Sequence, residues 1–169
     1  MSQLTQAAPL TAPNIERIRR VVTGLALDGR STVMLDGVCP HLRELPEFTT
    51  FRFTDLWIAK GAPADNRGSA DDADGPIAHT PAPEGNILRL LEIAPDPPDV
   101  NMADSGMHVT STLDYVYVLS GEITVVLQQG EVDLKPGDVL IQRGTVHAWS
   151  NRGTAPCVML GVLVDAVNP

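Results

Sequence analysis

The sequence predicts an all-β domain, and three observations carry that expectation. From Asn86 onward short apolar runs follow one another closely: NILRLLEI, MHVTST, LDYVYVL, EITVVL, EVDL, DVLIQ, HAWSN and CVMLGVLV. Turn-forming pairs stand between nearly all of them, among them Ser120-Gly121, Gln129-Gly130, Pro136-Gly137 and Arg152-Gly153. No segment carries the period of a long amphipathic helix, and no repeat of about 20 to 50 residues is visible. Many short strands joined by Gly and Pro turns close into a barrel or a sandwich.

Taken in order, residues 1–14 are polar and proline-bearing, with little to bury, and are expected to form a flexible arm. Residues 15–169 then make one domain. RRVVTGLALDGRSTVMLDG carries two apolar runs around Asp28-Gly29, a pair suited to the positive φ of a tight turn, and predicts a hairpin at the domain's edge. Phe51 to Ala59 predicts a strand packed on both sides, with Phe51, Phe53, Asp55 and Trp57 on one face and Arg52, Thr54, Leu56 and Ile58 on the other. Residues 60–85 are rich in Gly, Pro, Ala and Asp without apolar period and predict a long, mobile loop.

Composition removes several classes of function. The chain has 169 residues and is 43% apolar, enough for one sizeable core. With 12 basic against 21 acidic residues the formal charge is -9, which repels a polyanion, so nucleic acid is not an expected partner. No apolar run approaches the roughly 20 residues that span a bilayer, and MSQLTQAAPLTAPN lacks the basic start and apolar core of a secretory signal. A soluble, cytoplasmic protein without membrane contact is the expectation. Cys39 and Cys157 belong to no CxxC pair and read as free, buried thiols.

The chemistry-bearing side chains fall in the strand-rich half. On an unbroken strand His108, Thr110, Thr112 and Asp114 project to one side, Val116 and Val118 continue that face as an apolar wall, and Tyr115 and Tyr117 point away. By the same parity His147, Trp149 and Asn151 share a face. Two imidazoles and a carboxylate with open positions suit Fe(II) and can also hold Mn, Zn, Ni or Cu.

GMHVTSTLDYVYVLSGE resembles the first motif of the cupin superfamily, a His-x-His pair followed by Glu and then Gly; the corresponding residues are His108, Thr110, Asp114 and Gly121. PGDVLIQRGTVHAWSN is similar to the second motif, matched by Gly137, Gly144, His147 and Asn151. The resemblance covers residues 106–151 and implies a double-stranded β-helix, or jelly-roll barrel, preceded by hairpin strands. It also implies that His108, Asp114 and His147 inherit three of four metal-ligand places. Thr110 replaces the second histidine of the pair, Asp114 is shorter than Glu by about 1.5 Å, and Gln142 stands where Pro is usual. Thr110, Gln142 and Trp149 are therefore pocket candidates, with the Gln142 amide oxygen available as a weak ligand or substrate contact.

The function implied is binding of a small polar organic molecule in the barrel, with a divalent metal. His108, His147 and Asp114 would be the catalytic residues of an oxygenase or of a dehydratase or isomerase. A non-catalytic, metal-free binding or sensing module is the alternative, and acid/base catalysis by a histidine oriented by Asp114 is a third. A homodimer is expected, because the resemblance implies it and the hairpin offers an exposed edge.

Overall fold

The apolar runs pair into antiparallel sheets in the computed structural model, which describes residues 12–44 and 50–168. The strands are β1 (Arg19–Leu25), β2 (Ser31–Val38), β3 (Leu42–Glu44), β4 (Phe51–Ala59), β5 (Asn86–Ile93), β6 (Thr112–Ser120), β7 (Ile123–Leu127), β8 (Glu131–Leu134), β9 (Val139–Arg143), β10 (His147–Ser150) and β11 (Cys157–Asp165). A single helical turn, α1 (Met102–Ser105), lies between β5 and β6. A six-stranded sheet in the order β3-β4-β5-β11-β6-β9 faces a three-stranded sheet in the order β10-β7-β8, and β1 and β2 form a separate hairpin. Among the described residues no helix is long and apolar enough to cross a membrane.

The core between the sheets is built by alternation. Val116 and Val118 from β6, Ile123 and Val125 from β7, Ile93 from β5 and Met159 from β11 pack together, with Leu127, Leu140 and Trp149 against them. Tyr115 and Tyr117 point outward, as their parity requires, and are exposed. A second cluster covers the outer side of the large sheet, where Ile15 packs on Leu90 and Val158 with Ile18, Leu42 and Leu56 around it. Ile15 is fully buried, and most of the segment before it lies outside the described residues. The β6–β7 turn requires Gly121: its φ is +73°, and a Cβ there would meet the Pro156 carbonyl oxygen at 2.5 Å. The β1–β2 turn closes at Asp28-Gly29, with the Gly29 amide donating to the Ala26 carbonyl at 2.9 Å.

Three departures from simple alternation shape the interior. The register of β4 against β5 shifts between Asp55 and Trp57, so Asp55 opposes Arg89 but Trp57 opposes Leu88. A bulge thus turns Trp57 away from the face shared by Phe51, Phe53 and Asp55. The run MHVTST is not a strand: β6 begins only at Thr112, and upstream a single isolated bridge joins His108 to His147. The expected single face of His108, Thr110, Thr112 and Asp114 is therefore broken by the bend at Ser111.

The third departure is in the loop of residues 60–85, whose middle makes side-chain contacts to the hairpin and the large sheet. Arg20 grips both oxygens of Asp71, His41 Nε2 lies 2.8 Å from Asp71 Oδ2, Arg43 Nη2 donates to the Gly75 carbonyl at 2.9 Å, and Arg89 Nη2 to that of Ala78 at 2.7 Å. His41, buried beside β3, thus finds a carboxylate partner in this loop.

Candidate functional site

His147 is positioned by β10 and His108 by the bridge to it. The two residues exchange backbone hydrogen bonds, His108 N–H to the His147 carbonyl and His147 N–H to the His108 carbonyl, both at 2.9 Å. This brings the imidazoles together with ring centroids 4.4 Å apart and planes tilted by 50°. His147 is buried and His108 exposed, so the pair runs from the interior to the mouth. Trp149, two residues along β10, presents its indole edge-on to His147 at 5.8 Å and joins the barrel core.

Hydrogen bonding fixes the tautomers. His108 Nδ1 lies 2.8 Å from the Gly106 carbonyl, and His147 Nδ1 lies 2.9 Å from the Thr145 carbonyl. A carbonyl only accepts, so each Nδ1 carries the hydrogen and each neutral ring keeps its lone pair on Nε2. That is the state of a metal-ligating or proton-accepting imidazole. Burial holds the His147 imidazole below its usual pKa; the bond to Thr145 opposes this and neighbouring His108 adds to it.

Gln142 is buried on the Nδ1 side of His147. Its amide nitrogen lies 2.6 Å from the Thr145 hydroxyl and 3.0 Å from the Thr145 carbonyl, with His147 Nδ1 at 3.2 Å. It braces the turn that orients His147. Thr110 spends its hydroxyl on Thr112 Oγ1 at 2.7 Å. Asn151, the last residue of the second motif, is structural: its amide donates to the Ile93 and Ala155 carbonyls at 2.8 and 3.0 Å and accepts from the Gly153 amide at 3.0 Å.

Asp114 lies on β6 opposite Gln142. Its Oδ1 is buried with no hydrogen-bond partner among the described residues. Burial pushes its carboxyl above the usual range, against the opposing pull of the Thr112 hydroxyl, the Arg89 guanidinium and His108. Among the described residues no three His, Cys, Asp or Glu side chains gather closely enough to hold a metal ion, so Asp114 stands apart from the imidazole pair. Two imidazoles with free Nε2 atoms fit a divalent transition metal; the third protein donor implied by the resemblance is not beside them.

The interior also holds a charged pair that the sequence reading did not single out. Arg89 on β5 is 3% exposed and ion-paired to Asp55, with Nε and Nη2 at 3.0 and 2.9 Å from Asp55 Oδ1. Its guanidinium lies 4.1 Å from the centre of the Phe53 ring. The available signal was an arginine at inward parity, with Ile87, Leu91 and Ile93, in an otherwise apolar strand.

Residues 100–163 match the model of the cupin domain family. The chain is 31% identical over 160 residues to the cupin-domain-containing oxidoreductase fogC of Aspergillus ruber, covering 89% of this chain and 74% of that protein. It belongs to the cupin superfamily. This cupin is also 28% identical over 162 residues to the cupin-domain-containing oxidoreductase virC of Hypocrea virens, covering 91% of its own length and 79% of the relative's. A shorter stretch of 86 residues, 50% of the chain and 42% of the relative, is 46% identical to the phomopsin biosynthesis cluster protein C' of Diaporthe leptostromiformis. Among solved structures it is similar to the polyketide cyclase RemF of Streptomyces resistomycificus, with 20% identity, a TM-score of 0.47 and coverage of 75% of this chain and 73% of that one.

Proposed function

We propose that this cupin is an enzyme of the oxidoreductase class, acting on a small polar organic molecule and holding a divalent transition metal on the Nε2 atoms of His108 and His147. One observation carries the reading: the two imidazoles are adjacent and both are locked, through Nδ1, in the ligating tautomer. The relatives named as oxidoreductases agree in class. When bound, such a metal supplies Lewis-acid polarisation and, for iron or copper, one-electron chemistry.

The chain's own residues set the conditions. His108 at the mouth and His147 in the interior define the entrance and depth of the site. Gln142 and Thr145 hold His147 in orientation, Trp149 packs against its ring, and Val116 and Val118 belong to the apolar core that Trp149 joins. A second reading, proton transfer without redox change as in a dehydratase or isomerase, is favoured by the neutral, buried His147 with a free Nε2.

Elemental analysis of protein purified without chelator tests the proposal. The expected result is near-stoichiometric metal in wild type, loss in His108→Ala and His147→Gln, and retention in Asp114→Asn. Equally low metal in all four would overturn it. Metal lost from Asp114→Asn alone would instead make the carboxylate the dominant ligand. Oxygen uptake during a metabolite screen then separates the oxidoreductase from the isomerase reading.

A further inference from the structure

We infer that Arg89 and Asp114 form a hydroxyl-binding pair in the barrel, in which a ligand hydroxyl accepts from Arg89 Nη1 and donates to Asp114 Oδ1. This rests on the reading of the barrel as a ligand chamber and names the chemistry of the ligand. Three observations support it.

The first is an unmatched donor and an unmatched acceptor in one interior. Arg89 commits Nε and Nη2 to Asp55 and the Ala78 carbonyl, and Nη1 makes no hydrogen bond among the described residues. Asp114 Oδ1 is buried without a partner. Burying the Asp114 oxygen unmatched costs about 1–3 kcal/mol, which a hydroxyl bonded to it relieves.

The second is topology. β11 runs between β5 and β6, pairing Gly161 with Arg89 on one side and Leu163 with Asp114 on the other. Arg89 and Asp114 thus lie two strand spacings apart and two residues out of line along β11, with about 12 Å between their backbones. The two form no ion pair among the described residues, yet each feels the other's charge. Gly161 keeps the intervening strand low, because a Cβ there would come within 2.9 Å of Leu91 Cδ1.

The third is charge. Asp55 pairs with the Arg89 guanidinium and lies 3.9 Å from Arg43 Nε, and Asp114 adds a second carboxylate, so two guanidiniums are balanced by two carboxylates. A ligand carboxylate gains no net attraction from this set, whereas a neutral alcohol or phenol supplies both the acceptor and the donor that are missing.

The test uses full-length protein and three probes of similar shape, benzyl alcohol, benzoate and toluene, with binding followed by ligand-observed NMR. Benzyl alcohol should bind wild type more tightly than benzoate or toluene. Its affinity should fall about tenfold in Asp114→Leu and be largely kept in Asp114→Asn, whose amide oxygen still accepts. Because Arg89→Met alone leaves the buried Asp55 carboxylate facing only the distant Arg43 Nε at 3.9 Å, the arginine arm combines Arg89→Met with Asp55→Leu and should show a similar loss.

Tighter binding of benzoate than of the alcohol would overturn the inference in favour of an anion site. Absence of alcohol binding to wild type at millimolar concentration, or affinity unchanged in Asp114→Leu, would also overturn it, leaving water alone between the two groups. Metal content of the same samples separates the two claims: intact metal with no alcohol binding removes only this inference, and metal lost with Asp114→Leu counts against the two-histidine centre.

Discussion

The imidazoles of His108 and His147 face each other 4.4 Å apart, each anchored through Nδ1 to the carbonyl two residues before it, Gly106 in one case and Thr145 in the other. This repeated local geometry commits Nδ1 of both adjacent rings to a backbone carbonyl and leaves Nε2 as the lone-pair nitrogen of each neutral ring.

Asp114→Asn should stabilise the protein at neutral pH by about 1–2 kcal/mol, because it removes a buried charge whose Oδ1 is unmatched. The sign follows from the raised carboxyl: its folded pKa lies above its unfolded one, so its contribution is most favourable below the unfolded value and is lost as pH rises through the folded one. The gain from Asp114→Asn should therefore shrink on acidification. Thermal unfolding of both proteins between pH 4 and 8 checks this, and a gain that grows toward low pH contradicts it.

The strap over residues 71–78 hangs on Asp71. Burial alone would raise that carboxyl, but hydrogen bonds from Arg20, His41 and the Ala73 amide outweigh it and lower it to about 2. Asp71→Asn should loosen the strap and speed tryptic cleavage after exposed Arg67 by about fivefold or more at pH 7. In wild type the Asp71 contribution is present above the unfolded pKa and lost as pH falls through about 2. Equal cleavage rates would show that the other ties suffice.

Much of this was legible beforehand, for reasons that differ by element. The bounds of β4 and β5 are plain because FRFTDLWIA and NILRLLEI are apolar runs ended by turn residues. The outward Tyr115 and Tyr117 and the inward Val116 and Val118 follow from period two alone. The bulge after Asp55 and the break before Thr112 were not legible, since each is set by cross-strand pairing rather than local composition. The same break explains why the sequence drew Asp114 into one face with His108. Arg89 went unnoticed because its partners, Asp55 and the Ala78 carbonyl, lie on other segments.

Self-association is expected where apolar surface is left open. Tyr115 opposes Ile141 and Tyr117 opposes Val139 on the outer face of β6 and β9, and all four are exposed; Val21, Leu25 and Val33 are exposed on the hairpin. We propose that a second copy of the chain covers these faces. Light scattering should give about twice the 18.1 kDa chain mass, and Tyr117→Asp with Ile141→Asp should give a folded monomer. A wild-type monomer at high concentration contradicts this.

The two-histidine centre is tested most directly by loading the protein with Cu(II), which binds imidazole strongly, and reading the nitrogen hyperfine pattern by electron paramagnetic resonance. The account predicts coupling to two imidazole nitrogens in wild type and in Asp114→Asn, and to one in His108→Ala. A pattern unchanged by His108→Ala, or abolished by Asp114→Asn, would contradict it.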